Sequence, residues 1–129
     1  MANQFVVQLK NEPGAMATLA EELAARGVDL RAIGGGGIGD SGHVIMTTAD
    51  DDTTKQILDE GGYTYIEGES ILAEVDDRPG GMARLSRQLA DAGVNIYGHL
   101  FLGRWGDRAM FAFVVDDPDK ARPILERKQ

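Results

Sequence analysis

Hydrophobic and polar positions follow the same pattern twice along this chain. Residues 4–10 are rich in β-branched and aromatic side chains and predict a first strand. Residues 14–26 predict a helix, because apolar side chains recur there at the spacing of one helical face, and Gly27 ends it. The apolar face of this helix consists of Met16, Leu19, Ala20 and Leu23.

The pattern then continues with three more strands and one more helix. A second strand is predicted over residues 28–33, fading into the four glycines 34–37, and Asp40-Ser41-Gly42 predicts a turn. The other predicted elements are a strand over 43–49, a helix that follows the acidic residues 50–52, carries Ile57 and Leu58 and ends at Gly61-Gly62, and a strand over 63–67. The element order is therefore β-α-β-β-α-β.

An internal repeat relates the two halves of the chain. Asn11-Glu12-Pro13-Gly14-Ala15-Met16 recurs as Asp77-Arg78-Pro79-Gly80-Gly81-Met82, and the glycine that ends the helix recurs as Gly93. The offset is 66 positions in both cases (77 − 11 and 93 − 27), and it predicts a second copy that aligns without a gap. On that alignment residues 109–115 match the strand 43–49, and residues 116–118 match the acidic helix start. The predicted domains are residues 1–67 and 68–129.

The second copy ends before its fourth strand. Gln129 aligns with Tyr63, where that strand begins in the first copy. Pro123 falls inside the last helical pattern, where a proline costs about 3 kcal/mol and is expected to kink or break the helix. Without a fourth strand, the sheet of the second copy has an unpaired edge, and three arrangements would account for it. The fourth strand of the first copy serves both sheets, a neighbouring chain supplies the strand, or the edge remains unpaired as an association surface.

Together these elements predict an α+β fold. It consists of two ferredoxin-like (βαββαβ) modules in tandem, the second lacking its last strand. A unit of this size buries only about 60% of the surface that its unfolded chain exposes, so each module alone would be marginally stable. We therefore expect the modules to pack on each other, on a second copy of the chain, or both.

The repeated motif resembles the ACT domain family. In both copies a strand ends in Asn or Asp, the sequence x-Pro-Gly opens a helix, and Gly-Val-Asp-Leu (27–30) or Gly-Val-Asn-Ile (93–96) leads into the next strand. The match spans nearly the whole chain, which thus looks like a stand-alone tandem ACT protein. That resemblance implies an allosteric module that binds a free amino acid, and side-by-side pairing of modules, often in a homodimer.

The resemblance also implies where the ligand lies. It would sit between the first strand–helix loop of one module and the start of the second strand of another. Serine-binding relatives carry a His two residues before the first Asn, where this chain has Leu9 and Val75. Carried over position by position, the implied ligand-binding residues are Asn11, Glu12, Pro13, Gly14, Ala15 and Asp29 in the first copy and Asp77, Arg78, Pro79, Gly80, Gly81 and Asn95 in the second.

The chemistry of these loops agrees with that implication. Backbone N–H groups at a helix N-terminus suit a carboxylate, and glycines let a ligand approach the backbone. A side-chain carboxylate or amide oxygen can accept from an ammonium group, as Asn11 or Asp77 would. The alternative interpretation is purely structural. The Pro-Gly loops would then only be tight helix starts, and the side chains of Asp29 and Asn95 would bond the local backbone.

The composition and the absence of certain motifs exclude several classes of function. A net charge of −8 argues against nucleic acid and anionic membrane surfaces, and the absence of cysteine excludes disulfides and thiolate chemistry. Gly34, Gly36 and Gly39 fit G-x-G-x-x-G, but a strand rather than a helix is predicted after them, so we reject a dinucleotide site. No metal site, cofactor or catalytic constellation is predicted, and a non-enzymatic cytoplasmic protein is expected.

Two functional hypotheses follow. The first is a regulatory protein that senses a free amino acid at the interface between ACT-like modules and passes the signal to a client enzyme or regulator through altered packing or oligomerisation. The alternative is a pure protein–protein interaction module without a functional ligand pocket. The unequal loops and the missing strand of the second copy favour the alternative.

Overall fold

The computed structural model describes residues 3–127, which divide into two compact units, one ending at Gly68 and the other starting at Glu69. The strands in this range are β1 (Asn3–Lys10), β2 (Leu30–Ile38), β3 (Ser41–Thr48), β4 (Tyr65–Glu69), β5 (Ile71–Asp76), β6 (Ile96–Trp105) and β7 (Arg108–Val115). The helices are α1 (Ala15–Ala25), α2 (Asp51–Glu60), α3 (Gly81–Asp91) and α4 (Pro118–Leu125). None of them has the length and apolarity needed to traverse a bilayer.

The first unit is a four-stranded sheet with two helices on one face. Its strand order is β2-β3-β1-β4, and β3 runs antiparallel to both β1 and β2. Alternate residues of β1 point to the helices, as expected from the two-residue period of a strand. The core that they form consists of Phe5, Val7, Leu19, Leu23, Val28, Val44, Met46, Ile57 and Leu58. The predicted βαββαβ order is confirmed.

The second unit repeats this plan with three strands. Its sheet has the order β5-β7-β6, and between Glu69 and Arg127 the chain forms no strand after α4. Strand β5 occupies the position that β1 has in the first unit. The core of the second unit consists of Ile71, Ala73, Val75, Leu85, Leu89, Val94, Phe113, Val115, Ala121 and Leu125. The α+β class and the tandem modules, the second with three strands in this range, are therefore as predicted.

The glycine-rich segment differs from its prediction. Strand β2 starts at Leu30 and runs through all four glycines, pairing with β3 as far as Ile38 opposite Ser41. Ladder hydrogen bonds need only backbone groups, so the lack of side chains does not end the strand. The turn is therefore confined to Gly39 and Asp40, and the register irregularity of β2 lies between Leu30 and Ala32, outside the glycines.

The ungapped repeat alignment is wrong by one residue in its second part. Ile71 follows Phe5 by 66 positions (71 − 5), whereas their strand partners Phe113 and Met46 differ by 67 (113 − 46). The additional residue is in β6, whose register shifts between Phe101 and Gly103. This β-bulge makes Leu102 an insertion relative to β2. After the bulge, each residue of the second copy corresponds to one 67 positions earlier.

Pro123 does not break the last helix. Helix α4 continues through it and ends at Leu125. A proline at this position removes one hydrogen bond of the helix. Burial of Ala121 and Leu125 in the second core opposes that loss, because full burial of a leucine side chain contributes about 1.5–3 kcal/mol.

Helix α2 has a titratable cap, which predicts how this helix responds to acid. The carboxylate of Asp50 accepts from the hydroxyl and backbone N–H of Thr53, at 2.6 and 3.0 Å. Hydrogen bonds from the Thr53 side chain and then its backbone lower the pKa of Asp50 below its ordinary value of 3.8. The folded protein therefore binds this proton more weakly than the unfolded chain does. The stabilisation by the ionised cap is complete above pH 3.8 and lost as the pH falls through the lower folded pKa.

We expect Asp50→Asn, which keeps a capping oxygen but cannot titrate, to lower the midpoint of thermal unfolding at pH 7. The difference from the unchanged protein should shrink at pH 3, because protonation then weakens the native cap as well. Circular dichroism melts at both pH values measure this. Asp52→Asn removes the same charge from the same helix and is the control. A difference for Asp50→Asn that is equal at both pH values would contradict the assignment.

Candidate ligand-binding site

Both strand–helix loops fold in the same way. The helices α1 and α3 follow Gly14 and Gly80, which adopt left-handed backbone conformations with φ of 89° and 92°. Any other residue would pay about 1–2 kcal/mol for that conformation. Neither helix start is capped by a side chain. The first helical residues, Ala15 and Gly81, donate their N–H groups to the carbonyls of Glu12 and Arg78. The N–H groups that follow in each first turn face no side-chain cap and suit an anionic group.

A cavity of about 340 Å³ lies beside this loop in the first unit. It is bordered by the end of β1, the start of α1 and the glycine segment of β2. Three of the predicted ligand-binding residues, Asn11, Glu12 and Ala15, line it, and Pro13 and Gly14 belong to the same loop without lining it. The complete lining is Leu9, Lys10, Asn11, Glu12, Ala15, Met16, Ile33, Gly34, Gly35, Gly36, Gly42, His43 and Val44.

The side chain of Asn11 is oriented by the glycine strand. Its Nδ2 donates to the carbonyl of Gly39 at 2.9 Å. A Cβ at Gly37 would be only 2.6 Å from Asn11 Cγ, so the amide lies directly against the β2 backbone. With Nδ2 used in this way, Asn11 offers its carbonyl oxygen as an acceptor.

Asp29 lies at the opposite end of the first sheet. It precedes Leu30, which pairs with Thr48, whereas Asn11 follows the end where Lys10 pairs with Ser41. The partners of these two ends in β3, Ser41 and Thr48, are seven residue steps apart, which corresponds to roughly 24 Å along an antiparallel strand. The carboxylate of Asp29 is 3.4 Å from Arg31, and its carbonyl accepts from Ala49. Asp29 and Asn11 of one unit therefore do not meet.

Asn95 occupies the corresponding position in the second unit. Its backbone N–H donates to Asp116 Oδ1 at 2.9 Å, and its carbonyl accepts from Asp116 N at 3.0 Å. These bonds fix the backbone that leads into β6, and they use the side chain of Asp116 rather than that of Asn95.

The second loop is closed by an ion pair that the sequence did not predict. Arg104 Nε donates to Asp77 Oδ2 at 2.7 Å, and its guanidinium lies 4.7 Å from the centre of the Phe101 ring. Because of the bulge, Arg104 stands at the position of Gly37, and Phe101 at that of Gly35. The carboxylate of Asp77 is thus already paired within the chain.

The two loops also differ in space. Helix α3 approaches β5 so closely that a Cβ at Gly81 would be 2.4 Å from the carbonyl oxygen of Asp76. The equivalent residue in the first unit is Ala15, whose methyl group is accommodated. A cavity beside the second loop is lined by Val75, Asp76, Asp77, Arg78, Pro79, Met82, Arg104, Ala109 and Phe111. Glycine at position 81 therefore serves helix–strand packing, and Gly80 and Gly81 do not line that cavity.

Sequence reasoning missed several lining residues of the first cavity. Lys10, Met16, Ile33 and His43 all border it. Two of them, Ile33 and His43, could have been found from the pairing of β2 with β3. If β2 continues through the glycines, Gly36 lies opposite His43, and Ile33 lies opposite Met46 on the helix-facing side of the sheet. Residues 3–127 hold no group of three or more His, Cys, Asp or Glu that could bind a metal ion.

Similarity of this chain to known proteins is found in the structure and not in the sequence. No model of a known protein family matches this sequence. No curated protein has significant sequence similarity to it. Among solved structures, protein BT0572 from Bacteroides thetaiotaomicron matches with a TM-score of 0.72 and 21% identity, covering 97% of this chain and 86% of that chain.

Two regulatory subunits of aspartate kinase match as well. The ligand-free subunit from Thermus thermophilus has a TM-score of 0.62 and 19% identity, covering 97% of this chain and 87% of its own. The subunit from Thermus flavus has a TM-score of 0.64 and 17% identity, with coverages of 98% and 92%. At these identities the likeness concerns the fold, and this chain shares the tandem ACT-like fold of aspartate kinase regulatory subunits.

Proposed function

We propose that this protein is a non-enzymatic regulator of the ACT domain family that binds a free amino acid in the cavity of its first unit. The observation that carries the proposal is the cavity itself, which gathers Asn11, Glu12 and Ala15 beside an uncapped helix start. All three are among the ligand-binding residues that the repeated motif predicts. The shared fold with regulatory subunits supports a regulatory role.

The groups around Asn11 suit both charges of an amino acid. The N–H groups of the first turn of α1 and the ammonium of Lys10 would bind the α-carboxylate. The carboxylate of Glu12 and the Oδ1 atom of Asn11 would accept from the α-ammonium. Hydrogen bonds to charged groups each contribute about 1.5–3 kcal/mol, so a few suffice for micromolar to millimolar affinity.

We further propose that the regulator acts as a homodimer. Asp29 is too far from the cavity of its own unit to touch a ligand there. It would contribute to the site of a second copy, as the family arrangement implies. Binding would then favour the assembled state, because a ligand shifts an equilibrium only through its differential affinity for the states. A client enzyme or regulator would respond to that change.

Thermal unfolding against a panel of the twenty free amino acids at millimolar concentration tests the proposal. A ligand at 1,000 times its dissociation constant stabilises the folded protein by about 4 kcal/mol, which raises the midpoint by roughly 15 °C in a chain of this size. We expect one amino acid, or one chemically related group, to give such a shift. A folded sample that responds to none of the twenty would overturn the proposal.

Asn11→Ala is expected to weaken binding of the amino acid found in this way by about tenfold. One net hydrogen bond of about 1.4 kcal/mol corresponds to that factor. Isothermal titration calorimetry measures it, with Gln56→Ala on the exposed face of α2 as the control. Gln56 bonds Arg26 at 3.0 Å and does not line the cavity. Equal affinity of the Asn11 variant and the unchanged protein would contradict the role of Asn11.

The second candidate function is a pure interaction module. The Arg104–Asp77 pair favours it for the second unit, where the predicted acceptor already has a cationic partner. Strand β6 also carries apolar side chains that are exposed in this chain and that a partner could cover, namely Tyr97, Phe101, Leu102 and Trp105. A flat amino-acid panel in a sample of defined oligomeric state would favour this function over the first.

A further inference from the structure

The wall of the first cavity is apolar away from Asn11. Four apolar side chains form this wall, each from a different element. They are Leu9 of β1, Met16 in the first turn of α1, Ile33 of β2 and Val44 of β3. Two of them are large side chains that remain accessible: Met16 is 36% exposed and Ile33 is 48% exposed. Both would be covered by an apolar group placed in the cavity.

The charged side chains of the lining are concentrated at the other end. Lys10 and Glu12 flank Asn11 in sequence, and they provide one positive and one negative charge. In the proposed function, that pair binds the α-carboxylate and the α-ammonium of the amino acid. A third charge, on the ligand side chain, would then lie among Leu9, Ile33 and Val44, where desolvation is costly. Besides Lys10 and Glu12, the only titratable side chain of the lining is His43.

The glycine segment makes room for the ligand side chain. Gly34, Gly35 and Gly36 border the cavity next to Ile33, and their backbone covers one side of it without filling it. At the structurally equivalent site in the second unit, Phe101 takes the position of Gly35. The cavity beside the second loop, also about 340 Å³, is lined by Val75, Met82 and Phe111 among others. Only the first cavity is therefore bordered by glycine backbone on its β2 side.

We infer that the cavity of the first unit selects an α-amino acid with an aliphatic side chain, such as valine, leucine, isoleucine or methionine. This inference rests on the proposed function and specifies its ligand. The α-amino and α-carboxylate groups lie near Asn11, and the side chain lies against Ile33 and Met16. Ile33 is the residue that determines specificity, because it is the accessible β-branched side chain at the far end of the wall.

The experiment compares two isoleucines of the same strand. Ile33→Thr keeps a β-branched residue suited to a strand but makes the wall polar. Ile38→Thr makes the same change at a side chain that is 90% exposed and outside the lining. Dissociation constants are measured by calorimetry for the twenty amino acids and then for both variants with the tightest binder.

The expected result is tightest binding of an aliphatic amino acid, a loss of at least tenfold for Ile33→Thr, and no change for Ile38→Thr. Changes of one methylene in an apolar pocket have effects of about 10- to 200-fold, which sets this scale. Tightest binding of a charged, polar or aromatic amino acid would overturn the inference while leaving the proposed function standing. An aliphatic ligand that both variants bind equally well would also overturn it. Binding of no amino acid would overturn both.

Discussion

Gly35→Ala is expected to lower the free energy of unfolding by roughly 1–3 kcal/mol, the cost typical of overpacking. A Cβ at this position would lie 2.3 Å from the carbonyl oxygen of His43 and 3.1 Å from the Cα of Val44. Both atoms belong to the backbone of β3, so no side-chain rotation relieves the clash. Relief requires β2 to move away from β3, and the ladder between them is the edge of the first sheet.

Gly36→Ala is the matched control for this prediction. A Cβ at Gly36 would meet no atom within 4 Å. Glycine inside a strand is about 0.5–1 kcal/mol less stable than alanine, so this variant should keep or slightly gain stability. Urea unfolding followed by circular dichroism measures both variants. If the two neighbouring glycines tolerated alanine equally well, the course of β2 described here would be wrong.

Gly81→Ala is expected to cost a similar amount, roughly 1–3 kcal/mol, in the second unit. The added methyl group would be 2.4 Å from Asp76 O and 2.9 Å from Val75 Cγ1. Because Asp76 O is backbone and Val75 belongs to the core, helix α3 would have to lift from β5 to make room. Chemical unfolding of the purified variant gives the change directly.

The reciprocal change Ala15→Gly is the control, since Ala15 is the equivalent residue of the first unit. It removes a methyl group that fits, and it should cost no more than about 1 kcal/mol, the difference in helix propensity between alanine and glycine. A larger loss for Ala15→Gly than for Gly81→Ala would contradict the conclusion that the two helix starts differ in their distance from the sheet.

Much of the fold could be predicted because its pattern is local. The spacing of Met16, Leu19 and Leu23 identifies a helical face without any knowledge of the sheet, and the repeat shows the plan twice. The extension of β2 through the glycines could not be predicted in this way. It depends on ladder bonds to β3, which composition does not reveal, and four glycines have no side chains from which to detect a two-residue period.

The bulge at Leu102 could not be predicted from the sequence either. It lies in the apolar run Leu100-Phe101-Leu102, where shifting the alignment by one residue exchanges one apolar side chain for another. Its consequence for the site is large, because it brings Arg104 to the position of Gly37 beside the second loop. The ion pair with Asp77 follows from that shift, and so does the difference between the two predicted sites.

The candidate site was predictable where its residues are contiguous. Asn11, Glu12 and Ala15 share one loop and helix start, so their proximity follows from the motif, and the cavity includes them. Asp29 is near in sequence but lies at the far end of the sheet, since β2 begins where β3 ends. Ile33 and His43 reach the cavity only through strand register, which the motif does not encode.

The central claim is that an amino acid binds in the cavity of the first unit, and amide chemical-shift mapping tests it most directly. The ¹⁵N-labelled protein is titrated with the amino acid that the thermal panel selects. Binding in the cavity of the first unit should give the largest shifts at Asn11, Ala15 and the glycines 34–36, with the loop 77–81 little changed. Shifts concentrated at 77–81, or no saturable shift anywhere, would contradict it.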